Sequence, residues 1–244
     1  MSRLEHAKQS ALEIAQGRYP DAKAILLSGS VLRGHDTPYS DLDIVVLYDK
    51  LPHAKRESFY HNTWPVEAFI NDTETIRYFC EEFDLKSFEP IMPTMLIESI
   101  LICGDESLVK TLREYAENLI KNGPKPLTEE EYRRLRYAIT DTIDDLRQPK
   151  GSAEMQASAS VLYGQLANYF FRSRNLWCAR SKTIPRKMRE ADSVFAEKFI
   201  SSFNKLFAGD SSEVIQLSEQ LLSPFGGFLF DGYSLEAPSS FRKS

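Results

Sequence analysis

The chain has 244 residues, of which 42% are hydrophobic and 27% charged, the composition of an ordinary globular protein. At roughly 150 residues per domain it is long enough for one to two of them. Thirty Lys and Arg against 35 Asp and Glu leave a net charge of −5, which argues against life on the phosphate backbone of long nucleic acid and favours small or cationic partners.

Three scattered cysteines, Cys80, Cys103 and Cys178, form no CxxC pair. They read as buried small hydrophobes in a reducing cytosol. No apolar run approaches the about 20 residues needed to cross a bilayer. The N-terminus, MSRLEHAKQSALEIAQ, is amphipathic and charged rather than signal-like. A cytoplasmic protein with no membrane partner is expected.

In chain order, Leu4, Ala7, Ala11 and Ile14-Ala15 mark a first helix. Residues 22–28 (AKAILLS) read as a short buried strand. Residues 41–48 (DLDIVVLY) alternate and then turn wholly apolar, a second strand. Residues 64–70 (WPVEAFI) read as a third, with Pro65 near its start or on an edge. Helical stretches follow over about 72–82 and 94–122, the second broken near Gly104.

The sharpest seam is Asn122-Gly123-Pro124-Lys125-Pro126-Leu127. Gly suits a helix end, and the prolines cannot continue one. Thr128-Glu129-Glu130-Glu131 then reads as a capping box, with Leu127 and Tyr132 placed for a hydrophobic staple. Beyond it, apolar residues step at three and four in four helices. These run through Tyr132–Leu146, Met155–Phe170, Met188–Phe203 and Val214–Leu221. Short loops between them predict a small bundle over residues 128–244, following a first domain over residues 1–122. The aromatic stripe Phe195, Phe199, Phe203 reads as core.

Chemistry concentrates between Leu27 and Val46. An apolar strand runs into Gly29-Ser30, where a helix is expected to begin and its free N–H groups to favour an anion. Gly29 to Gly34 has Walker A spacing, but His35-Asp36 stands where Lys-Ser/Thr is required. A P-loop is therefore rejected. Asp41 and Asp43 sit at i and i+2 at a strand start, on one face and about 6.6 Å apart. Two hard oxygen ligands so placed suit Mg²⁺, which takes one or two carboxylates plus substrate phosphates. A lone Asp-x-Asp is more often a capped turn; coupled to the Gly-Ser turn it points to a ligand.

Gly29-Ser30, Arg33-Gly34 and Ser40-Asp41-Leu42-Asp43 with its apolar tail resemble the signature of the polymerase-β-type nucleotidyltransferase superfamily. The resemblance implies an α+β fold, with a short mixed sheet flanked by helices. It also implies two Mg²⁺ ions shared by three carboxylates and an NTP held by Gly29, Ser30 and Arg33. Asp41 and Asp43 match the first two carboxylates. The third is expected from a neighbouring strand, and Glu67 is the best placed. It shares a face with Phe69 while Val66, Ala68 and Ile70 take the other, and a carboxylate in mid-strand needs a reason. Asp72 and Glu74 lie too near the strand end.

A Glu following Pro-x at the third position is similar to the aminoglycoside nucleotidyltransferases, where it is proposed to activate the acceptor hydroxyl. Those enzymes also carry a helical C-terminal domain with a Lys that contacts the nucleotide phosphates. Ser181-Lys182 looks similar, which makes Lys182 a candidate, flanked by Arg180 and Arg186. Most of the C-terminal half departs from the drug-modifying enzymes, so the acceptor does not carry over. Asp141, Asp144 and Asp145 read as a solvated helix face, and His35 and His61 have no partner readable from spacing.

The expected activity is transfer of a nucleoside monophosphate, AMP from ATP, to a hydroxyl of a small molecule. The C-terminal bundle is expected to bind the acceptor. The competing readings are a protein or tRNA acceptor and a nucleotide-binding regulator without catalysis. The regulator's mark would be a missing metal carboxylate, and none is missing.

Overall fold

The computed structural model describes residues 2–238 and 242. The chain divides into two compact units, Met1–Pro124 and Lys125–Ser244.

The first unit is α+β. Helix α1 (Arg3–Arg18) is capped by Ser2, whose hydroxyl accepts from the Glu5 N–H at 3.1 Å. It buries a face of small residues, Ala7, Ser10, Ala11 and Ala15 with Ile14. Among the described residues, five strands form one mixed sheet in the order β3-β4-β2-β1-β5. They are β1 (Ala24–Ser28), β2 (Leu42–Leu47), β3 (Lys55–His61), β4 (Trp64–Asn71) and β5 (Ile100–Gly104). The β2/β4 pair is parallel; the pairs β1/β2, β1/β5 and β3/β4 are antiparallel.

Strand alternation sorts the core into two layers. Ile25, Leu27, Ile44, Val46, Val66, Ala68 and Ile70 pack with α1. On the opposite face Ala24, Leu26, Val45 and Leu47 pack against Ile76, Leu96, Val109 and Leu112. These come from α2 (Thr73–Tyr78), α4 (Ile91–Glu98) and α5 (Glu106–Asn122). A π-helical turn, Phe79–Asp84, and the short α3 (Leu85–Ser87) follow α2 directly. Gly123, at φ +72°, ends α5.

Two strands depart from the sequence expectation. β3 went unread because it is a half-exposed edge strand, KRESFYH, with few apolar residues. It forms a tight hairpin with β4 around Asn62, which adopts φ +52°. β5 lies inside the stretch expected to be helical. Its five residues are too few for periodicity to separate strand from helix. Gly104 marks its end: at φ +106°, a Cβ there would stand 2.1 Å from the Lys23 carbonyl oxygen.

The second unit is all helical among its described residues. It contains α6 (Glu129–Arg147), α7 (Ser152–Ser173), α8 (Ile184–Ala191), α9 (Ser193–Phe207) and α10 (Ser212–Leu222). The capping box at Thr128 and Glu131 is formed. Ile139, Ile143, Leu162, Leu166, Phe170, Phe199, Phe203 and Leu217 share one core, so the aromatic stripe packs inside. The segment expected as one helix through Met188 and Phe203 is two, because Asp192 is extended (φ −156°, ψ 95°). Its carboxylate accepts from the Phe195 N–H at 2.9 Å and caps α9. Residues after α10 run back along α6, where Arg136 donates to the carbonyls of Gly226 and Gly227 at 2.7 Å each.

Candidate active site

The register of the sheet assembles the site. In the antiparallel β1/β2 pair Ser28 lies opposite Asp43, and in the parallel β2/β4 pair Asp43 lies opposite Glu67. The Gly-Ser turn and the third carboxylate therefore flank Asp43 at one end of the sheet. Asp41 stands just before β2, after a turn in which Ser40 Oγ accepts from the Thr37 N–H at 2.9 Å. One oxygen from each of Asp41, Asp43 and Glu67 lies within 4.8 Å of the others. Among the described residues this is the one group of three or more potential metal ligands.

Gly29 is buried at φ +92°, ψ −167°, a region open essentially to Gly. A Cβ there would fall 2.3 Å from Asp43 Oδ2 and 3.1 Å from its Cγ. The bare backbone thus seats the Asp43 carboxylate, a use the sequence reading did not anticipate. Ser30 opens a single 3₁₀ turn, Ser30–Arg33, rather than the expected helix. Gly34 follows it in the left-handed region (φ +66°) and turns the chain away at once. With no helix dipole to draw on, any phosphate contact here rests on individual N–H groups and the Ser30 hydroxyl.

The electrostatics are strained. Asp43 is pushed up to about 6, mainly by burial, then by the charges of Asp41 and Glu67; Arg33 and Arg56 pull the other way. No hydrogen bond reaches the Asp41 or Asp43 carboxylate from any described residue. Three converging carboxylates, two of them without a hydrogen bond from a described residue, are a donor set that suits a hard divalent cation. Such an ion held by Asp41, Asp43 and Glu67 fits the residues present.

Arg33, a candidate nucleotide contact, ion-pairs with Glu98 at the end of α4. Glu67 ion-pairs with Arg56 on β3, whose guanidinium also stacks 5.2 Å from the Phe69 ring centroid. Sequence reading missed Arg56, since its partner is fixed by a hairpin that was not read.

The remaining candidates fall on both units. Asp72 caps α2 and accepts from the Leu51 N–H at 2.8 Å, at the far end of β4 from the cluster. Lys182 belongs to the second unit, exposed on the 3₁₀ turn Ser181–Thr183 that leads into α8. Asp141, Asp144 and Asp145 are exposed, Asp144 pairing with Arg147 at 3.0 Å. His35 is exposed, and His61 meets Glu13 at 3.0 Å, a pairing its spacing did not disclose. Cys80 is buried while Cys103 and Cys178 are half-buried. No described helix is long and apolar enough to cross a membrane.

None of the curated proteins matches the chain. Among solved structures, one described as a nucleotidyltransferase-like protein from Exiguobacterium sibiricum 255-15 is similar at 12% identity and a TM-score of 0.44, covering 88% of this chain and 74% of its own. Residues 8–119, which hold the whole sheet, the Gly-Ser turn and all three carboxylates, match the family model of the nucleotidyltransferase domain.

Proposed function

We propose that the protein transfers AMP from ATP to a hydroxyl of a small acceptor and releases pyrophosphate. The observation that carries this reading is the convergence of Asp41, Asp43 and Glu67 beside the Gly29-Ser30 turn. Divalent cations held there, two Mg²⁺ in this reading, supply Lewis-acid polarisation of the α-phosphoryl group and a lowered pKa at the acceptor hydroxyl.

The chain's own residues do the rest. Asp41 and Asp43 would hold the cations that meet the triphosphate, and Ser30 with its neighbouring N–H groups holds phosphate oxygens. Glu67, on the strand that flanks Asp43 and partly exposed, takes the proton of the acceptor hydroxyl as general base. Lys182 is assigned to the phosphates on the strength of its Ser-Lys context. The helical unit, residues 128–244, is assigned the acceptor, for which an aminoglycoside-like polyol is one class.

Label transfer tests this reading. The protein is incubated with α-labelled ATP, Mg²⁺ and hydroxylated small molecules pre-selected by thermal shift. Labelled acceptor and pyrophosphate are expected in equal amounts, and neither with Asp43→Ala. Pyrophosphate release by Asp43→Ala at the wild-type rate would overturn the assignment.

A further inference from the structure

Arg56 lies outside every motif of the sequence, yet it holds the third carboxylate of the cluster. It sits on the edge strand β3, where Ser58 is opposite Glu67 and Arg56 is opposite Phe69. Alternation puts Arg56 on the face that carries Glu67 and Phe69. From there Arg56 Nη2 ion-pairs with Glu67 Oε2, and the guanidinium lies over the Phe69 ring. The Arg56 side chain is more than half exposed and that of Glu67 about a quarter. An ion pair this wet is weak and readily exchanged.

The geometry points to Arg56 as an exchangeable counter-ion of Glu67, one that neutralises this carboxylate in the cation-free cluster and yields it when a divalent cation arrives. The inference rests on the reading of Asp41, Asp43 and Glu67 as cation ligands. Without a cation, three carboxylates whose oxygens lie within 4.8 Å of one another repel, and Arg56 offsets part of that repulsion. With a cation bound, the guanidinium and the ion compete for one carboxylate and repel each other. Phe69 gives the displaced guanidinium a place to stay, because a cation over an aromatic face keeps some attraction without the carboxylate.

Arg56 differs in this from Arg33. Arg33 is committed to Glu98 outside the cluster and acts on Asp43 only at longer range. Arg56 is therefore a positioning residue that sets how readily the third ligand is released. A free cation must displace it unaided. A cation that arrives with an anionic triphosphate brings negative charge that offsets the added positive charge, so the arrangement favours loading of the Glu67 side with nucleotide present.

The test uses the full chain and Mn²⁺ alone, without nucleotide, read by electron paramagnetic resonance. Wild type is compared with Arg56→Ala, Arg56→Gln, Arg56→Lys and, as a control for the site, Asp43→Asn. Mn²⁺ affinity is expected to rise about tenfold in the Ala and Gln variants, the order expected when one unit charge is removed a few ångströms from a divalent ion in water-exposed surroundings. The Lys variant should stay near wild type. In EDTA the Ala variant should melt below wild type, and saturating Mn²⁺ should close that gap; a purely structural loss would persist in Mn²⁺. Unchanged or weaker Mn²⁺ binding in both Ala and Gln variants would overturn the role of Arg56 alone, provided wild type binds Mn²⁺ and Asp43→Asn does not. A wild-type chain that binds no Mn²⁺ would overturn the cation site and this inference with it.

Discussion

Replacing Gly29 with Ala should separate the seat of Asp43 from the stability of the fold. Gly29 occupies φ +92°, ψ −167°, and holding an L-residue in such a region costs on the order of 1–3 kcal/mol. The new methyl would also stand 2.3 Å from Asp43 Oδ2, 3.1 Å from Cγ and 3.3 Å from Cβ. The backbone of β1 and β2 is fixed by the Ser28–Asp43 pairing, so the carboxylate is the part that yields, by about 1 Å if ordinary van der Waals contact is to be restored. A displacement of that size at a reacting centre can lower turnover about 100-fold. Gly34→Ala is the matched control. Gly34 is also at positive φ (+66°), but a Cβ there meets nothing within 4 Å. It should lose about 1 kcal/mol of stability and keep its Mn²⁺ affinity. Urea denaturation and Mn²⁺ titration on both variants decide the matter. Wild-type Mn²⁺ affinity in Gly29→Ala would refute the argument that the missing side chain makes room for Asp43.

Three further outcomes are expected. Glu57 is held down at about 2 by hydrogen bonds from Lys55, Tyr19 and Arg18; a depressed folded pKa contributes stability above the ordinary carboxylate range that disappears as pH falls from about 4.5 toward 2. After discounting for solvent screening, Glu57→Gln should be less stable by about 1 kcal/mol at neutral pH and equal to wild type near pH 2, and a gap independent of pH in urea melts would contradict this. Thr128→Ala removes the side-chain half of the α6 capping box, in which Thr128 Oγ1 accepts from the Glu131 N–H at 3.2 Å. It should lose about 1 kcal/mol with an unchanged denaturant slope; no loss would mean that the cap contributes nothing. Lys182→Ala should raise the apparent KM for ATP about tenfold and leave that of the acceptor alone; unchanged ATP kinetics would remove Lys182 from the nucleotide.

Much of the cluster was legible because each carboxylate broke a local rule. Asp41 and Asp43 put two charges on one face at the mouth of an apolar strand, and Glu67 interrupted another strand that is otherwise apolar through its middle. Their convergence was not legible, since it depends on the β2/β4 register that levels Asp43 with Glu67. Features of weak or ambiguous period were lost. β3 is half polar, β5 is five residues long, and the apolar phase of Met188, Ala191 and Phe195 runs unbroken across Asp192. Only the chemistry of Asp192, an N-cap residue ahead of Ser-Val-Phe, distinguished two helices from one. Arg56 was invisible for a different reason. Eleven positions separate it from Glu67, and nothing local says that a hairpin closes that distance.

The same register explains why the repulsion among the carboxylates is met by counter-ions rather than by a shift of the strands. Leu42, Ile44 and Val46 on one strand, with Val66, Ala68 and Ile70 on the other, are buried and paired residue for residue. A slip of one position would carry this apolar row to the opposite face, so the core forbids it. The backbones of Asp43 and Glu67, interleaved in those strands, inherit the constraint and stay level unless β2 is unpacked from β4; only their side chains can turn. What can change is the charge around them. Arg56 reaches Glu67 directly, Arg33 acts on Asp43 at a distance, and a divalent cation would act on all three carboxylates together. The hydrophobic pattern that folds the sheet thus also holds its acidic end in a state that a cation would relieve.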